Sequence, residues 1–367
     1  MRKLAFLGAL IAFVSGAPLQ AAPAEPQPGP HLGYGDWHIA CDNIATCEAN
    51  ALASGFKLDQ KASLLIQRQA GQVGYFRVVT RLRDGDVARV ALIVDDRKLA
   101  EGDVDSDERF IVPTADSMAV ARALAKGQRA IVVNASEGST REVLAQISLK
   151  GSAAALRRMD EEQGRARTSD AIVARGRRSY RGEAEVLPII TQMVPAQFEN
   201  LPGKKAMQKL AEESGCLDDR PDGFDALEEQ AQPLTQTADE QVALVMIPCG
   251  FGAYNFSALP YIARRDRSDD DDDAPWRFSV AQFDYRPAWS ENPEKPLLVN
   301  AYYNEEDGIL GSFAKGRGLG DCGSGESYIW DGEIFRLFEA SAMDECRGVW
   351  QWPTIWRAYV QRKPARP

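Results

Sequence analysis

Two histidines, six cysteines, and a knot of acids and aromatics towards the C-terminus are the residues of this chain whose types and spacing could do chemistry. The histidines are His31 and His38, in the first strand or just before it. A Ser-His-Asp or Cys-His apparatus would need one of them, and neither is accompanied by a nucleophile-elbow motif. Nor are they spaced as a zinc pair, while the cysteines are spaced for bridges, so neither a metal nor a cofactor is expected. Asp321, Glu326 and Asp331 lie among Tyr328, Trp330, Trp350 and Trp352. Two acids in an aromatic groove are the minimal equipment of a glycosidase. The same aromatics with no acid pair would instead seat a glycan or a peptide. Glu326, Tyr328, Trp330, Trp350 and Trp352 are therefore the candidate binding residues, against the plainer reading that tryptophans beside a disulfide form core. Five consecutive carboxylates, Asp269 to Asp273, lack the alternating ligands and glycine of a calcium loop and read as a solvated hairpin tip. The glycines at 311, 316, 318, 320, 323 and 325 lack the strand-loop-helix setting of a phosphate cradle.

The cysteines speak for compartment. Cys41, Cys47, Cys216, Cys249, Cys322 and Cys346 are an even set, as expected of disulfides in an exported chain, although sequence alone leaves their pairing open. Pairing each with its nearest neighbour keeps every bridge local and is preferred. Residues 1–22 carry a charged start, Arg2-Lys3, an apolar run to Val14 and small residues before the cleavage zone, which together read as a signal peptide. Periplasmic or secreted placement follows, with no membrane span expected, because no segment approaches roughly eighteen uninterrupted apolar residues. The net charge is −10, and the residues from 171 onward carry the acidic excess. That argues against nucleic acid or an anionic membrane as partner.

The elements that must position these residues are mostly strands. Gly35-Asp36-Trp37-His38-Ile39-Ala40-Cys41 reads as a half-buried strand, with Trp37, Ile39 and Cys41 inward and His38 and Ala40 outward. Asp42-Asn43 supplies turn chemistry before Cys47. Strands are expected over 63–68, 74–82 and 87–94, with a hairpin turn at Asp84-Gly85. A helix is expected over 114–126 and stopped by Gly127, then strands over 129–134 and 141–149, then a short helix over 153–162. The arginine-crowded stretch 161–185 reads as a solvated basic linker and a plausible proteolysis site. Beyond it come a helix over 204–214, helical character around 224–230, a buried strand over 242–247, and strands over 254–263, 276–283, 297–303 and 309–314. Last comes a hairpin, 328–338, turning on Asp331-Gly332. The expected fold class is α+β, mostly β: two strand-rich domains with a few short helices, braced by disulfides. The divisions are 1–22 signal peptide, 23–32 Pro-rich tail, 33–160 first domain, 161–185 linker and 186–362 aromatic second domain.

Three motifs carry a resemblance: Gly35-Asp36-Trp37 through Cys41 and Cys47, then Pro248-Cys249-Gly250-Phe251-Gly252-Ala253-Tyr254-Asn255, and Cys322-Gly323-Ser324-Gly325-Glu326 running into the hairpin and Cys346. Across the mature chain the sequence resembles the proteobacterial family known as domain of unknown function 1176. Residues 35–160 also resemble the invasion associated locus B proteins. That second match rests on Asp36-Trp37 and Cys41, on Leu92-Ile93-Val94-Asp95, and on Ile147-Ser148-Leu149-Lys150-Gly151 leading into Ala153-Ala154-Ala155-Leu156, although further cysteines are lacking between Cys47 and Cys216. The first resemblance implies no activity, and the second only a loose link to the envelope and host contact. The leading expectation is an exported, non-enzymatic binding or envelope-accessory protein whose partner is an envelope protein or glycan. The alternatives are a carboxylate-based hydrolase of an envelope glycan, and an inhibitor of a host or competitor hydrolase presenting a rigid loop at Cys322 to Cys346.

Overall fold

The computed structural model describes residues 25–54, 60–83, 87–216, 230–267, 275–290, 292 and 294–363. The expected signal peptide, the Asp84-Gly85 turn, the helical stretch from residue 224 and the acidic run 269–273 lie outside these residues. The first half runs β1 (His31–Tyr34), β2 (Trp37–Cys41), β3 (Cys47–Ala51), β4 (Ala62–Arg68), β5 (Phe76–Leu82), β6 (Arg89–Val94), β7 (Arg97–Asp103), β8 (Arg109–Ile111), α1 (Thr114–Lys126), β9 (Arg129–Asn134), β10 (Val143–Ser148) and α2 (Ser152–Glu162). These strands form a six-stranded sheet, β1-β2-β3-β4-β5-β8, and a four-stranded sheet, β10-β9-β6-β7. Both sheets and both helices enclose one core that includes Trp37, Ile39, Leu64, Leu92, Leu124 and Leu156. The mostly charged β7 escapes a hydrophobicity reading. Asp95 and Asp96, both at positive φ, form a two-residue turn that returns the chain beside β6, with Val94 opposite Arg97.

The second half runs β11 (Ile189–Met193), α3 (Lys204–Ser214), β12 (Gln230–Gln236), β13 (Glu240–Phe251), β14 (Phe256–Asp266), β15 (Arg277–Val280), β16 (Leu298–Val299), β17 (Tyr302–Asn304), β18 (Ile309–Lys315), β19 (Gly323–Trp330), β20 (Phe335–Met343), β21 (Thr354–Arg357) and β22 (Tyr359–Lys363). Sheets β12-β13-β14-β15 and β17-β18-β19-β20-β21 face each other, and β11 pairs in parallel with β22. The apolar run of β13 is explained by burial on both faces. Val242, Leu244 and Met246 point between the two sheets, whereas Ala243, Val245 and Ile247 point under α3, against Leu210 and Ala211. The fold is mostly β, and its disulfides join Cys41 to Cys47, Cys216 to Cys249 and Cys322 to Cys346, the nearest-neighbour set.

Three expectations change. The turn at Asp331-Gly332 is a four-residue connection, since Trp330 pairs with Phe335. The Asp331 carboxylate accepts the amides of Glu333 and Ile334 and so organises the longer loop. The basic stretch after α2 is not a solvated linker over its first part. Buried Asp160 accepts the amides of Ile172 and Val173 and pairs with Arg68. Arg165 is 3% exposed and lies over the Tyr180 ring. Finally, β2 is buried on both faces rather than half-buried, because the second half covers its outer side. Ala40 belongs to the core between the second half's sheets, and Asn43 exchanges hydrogen bonds with the backbone of Arg357.

Candidate functional site: the junction of the two halves

The five candidate residues are not gathered into one groove. Tyr328 and Trp330 point into the core of the second half, 0% and 2% exposed. Glu326 is buried beside them, its Oε2 without a protein partner. Burial pushes its carboxyl up to about 7, and the Ser324 and Ser312 hydroxyls and the Ala288 amide only partly offset this. Trp352 stacks flat on Phe313, ring centres 4.3 Å apart, and closes over Gly323. The other acids are spoken for. Asp321 is clasped by Arg317, with Nε to Oδ1 at 2.7 Å, and Asp331 by Arg336 at 2.6 Å. No open acid pair of the kind a glycosidase uses is formed by these three carboxylates. The Cys322–Cys346 bridge, read as a protruding loop, instead lies in a small core with Leu52, Met343 and Val349.

Trp350 is the member that reaches a cleft, and the chain leading to it is anchored residue by residue. Cys346 is held by its bridge. Arg347 pairs with Asp36 at 2.5 Å and donates to the carbonyls of Ala53 and Gly35 in the first half. The Gly348 amide donates to Asp321 at 2.7 Å. Val349 is buried. Trp350 then emerges half-buried, with the Arg83 guanidinium 4.3 Å above its ring centre. Around it opens a cleft of about 300 Å³, lined from the first half by Asn50, Ser63, Arg81 and Glu108 and from the second by Trp350 and Gln351. Arg81 is its most telling wall. Its Nε is buried without a partner, and desolvation lowers its pKa, opposed by the charge of Glu48. Asp107, also on the wall, is already paired with Arg109.

The histidines, unpaired by sequence spacing, are neighbours in space. Antiparallel pairing of β1 with β2 sets His31 opposite Ala40 and Gly33 opposite His38, so both rings share one face. Their centres are 6.3 Å apart. His31 Nδ1 lies 2.7 Å from Asp344 Oδ2, just after β20. His38 is fully buried, and burial holds its imidazole down to about 4, with His31 adding to the effect and Asp344 opposing it. Nothing near residues 31 and 38 in sequence foreshadows Asp344. The signal missed was the strand pairing itself.

Residues 33–359 match the family described as "Protein of unknown function (DUF1176)". The chain belongs to that family. A curated relative, "Uncharacterized protein YpfG" of Escherichia coli strain K12, is 26% identical over 97% of this chain and 99% of its own. The crystal structure of invasion associated protein B from Bartonella henselae aligns with 37% of this chain and 99% of its own, at 17% identity and a TM-score of 0.29. Among the described residues no helix is long and apolar enough to cross a membrane.

Proposed function

We propose that this member of the family is a periplasmic, non-enzymatic binding protein that takes a carboxylate-bearing envelope partner, a protein segment or an acidic glycan, into the cleft at Trp350. The observation that carries the reading is Arg81, a guanidinium whose Nε is buried and unpaired in the wall of a cleft built by both halves. Arg81 is half-buried with Glu48 as its nearby opposing charge, and a ligand carboxylate in the cleft would add charge and hydrogen bonds to a guanidinium that is partly desolvated. Trp350, already carrying Arg83 on one face, offers apolar area for a peptide or sugar ring. Three disulfides are compatible with an extracytoplasmic setting, and the signal-like start of the sequence points the same way.

The test is calorimetric titration of the oxidised protein with an acidic peptide and, separately, with a polyuronate chain. Saturable binding of one of them, weakened roughly tenfold or more by Arg81→Gln as expected for loss of a charged hydrogen bond, supports the reading and names the source. If neither binds, or if Arg81→Gln binds as the parent does, the proposal fails.

A further inference from the structure

We infer that His31, His38 and Asp344 form a binding site for a divalent first-row transition ion, zinc being the one the ligand set suits best, which clamps the first two strands to the second half. One ligand atom from each residue lies within 4.8 Å of the others. Two imidazoles and one carboxylate are a common zinc donor set, leaving a fourth position for water or a further side chain. Zinc bonds of about 2.0–2.2 Å place ligand atoms roughly 3.3–3.5 Å apart. The closing movement required is therefore of the order of 1 Å. His31 and Asp344 can supply it, since their side chains are 32% and 60% exposed.

The second, independent observation is His38. It is 0% exposed and neither ring nitrogen has a hydrogen-bond partner in the protein. Burying an imidazole with both nitrogens unpaired carries the desolvation cost of a polar group for no return. A core histidine kept for packing alone would have a donor or acceptor nearby. This ring is instead aimed at another histidine and a carboxylate. The residue opposite it is Gly33, and a Cβ there would lie 2.7 Å from Glu345 Oε1. A second carboxylate is thus admitted beside the site, where it can accept from a bound water or complete the shell. Asp344 and Glu345 directly precede Cys346 and Arg347, which tie the same loop to Cys322 and to Asp36. The ligand set therefore spans both halves of the molecule and draws on restraints already present. The inference is independent of the carboxylate-binding reading.

The test uses the full mature chain, oxidised and without a histidine tag. Zinc is titrated by competition with a chromophoric chelator, and cobalt(II) is added to read the ligand field. One equivalent per chain is expected, with the absorption of a nitrogen- and oxygen-ligated low-coordinate cobalt centre and a rise in melting temperature. His31→Gln and Asp344→Asn change partly exposed side chains and leave the fold intact. Each should weaken binding by at least the roughly 10–100-fold typical of changes just outside a metal's ligand shell. No stoichiometric zinc binding, or binding unchanged in both variants, overturns the inference. The second result would place the ion at another carboxylate cluster.

Discussion

Glu326 carries a prediction of its own because burial raises its pKa from the ordinary 4.5 to about 7. A carboxylic acid that holds its proton more tightly when folded stabilises the protein fully below its unfolded pKa. That contribution is lost as pH rises through the folded value. Wild-type stability should thus decline relative to Glu326→Gln between about pH 4.5 and 7, by about 3 kcal/mol in total. Urea midpoints of the two proteins measured across that range check it, and parallel profiles would contradict it. At the same scale, Asp160 receives the backbone amides of Ile172, Val173 and Ala174 and the Arg68 guanidinium. Asp160→Ala strands all four and should cost about 3–5 kcal/mol in chemical denaturation. A loss under 1 kcal/mol would show that these groups find water instead.

Among the elements, those with a strong local signal were readable in advance. The helix over 114–126 and the helix over 204–214 were both expected at their observed bounds, the second stopped by Gly215 at φ 73°. Sequence left the pairing of the cysteines open, and the preference for local bridges matches the observed pairs, whose partners lie 6, 33 and 24 residues apart. What could not be read depended on partners distant in sequence. The outer face of β2 looks solvent-facing by alternation, and only the arrival of the second half buries His38 and Ala40. Tyr328 and Trp330 looked like a groove because an aromatic in a β-sandwich core and one on a binding face have the same local pattern. The arginine-rich stretch 161–185 looked uniformly solvated, yet Asp160 folds its first part onto the protein while Arg175, Arg177 and Arg178 remain exposed. Brief trypsin treatment should cleave after these exposed arginines and spare Arg165. Early cleavage at Arg165 would mean that the docked segment opens readily.

At the scale of the whole molecule, the two halves are joined by specific polar contacts. Arg347 reaches Asp36, Asn43 reaches Arg357, and Arg357 pairs with Asp42 at 2.6 Å. Arg347→Ala removes an ion pair and two bonds to backbone carbonyls of the first half. It should lower the melting temperature and loosen the cleft, because the same loop carries Trp350. Tryptophan quenching by acrylamide would register the loosening. An unchanged quenching constant would show that the bridge and Val349 hold the loop unaided.

The cleft at this junction is the proposed recognition site. Its most direct test is amide chemical-shift mapping of the labelled, oxidised protein during titration with the acidic ligand that binds in calorimetry. The expected perturbations gather at residues 50–51, 63, 81–83 and 349–351, from both halves at once. Perturbations confined to one half, or centred beside α3 or around Phe256 and Asn300, where the surface has other depressions, would contradict it.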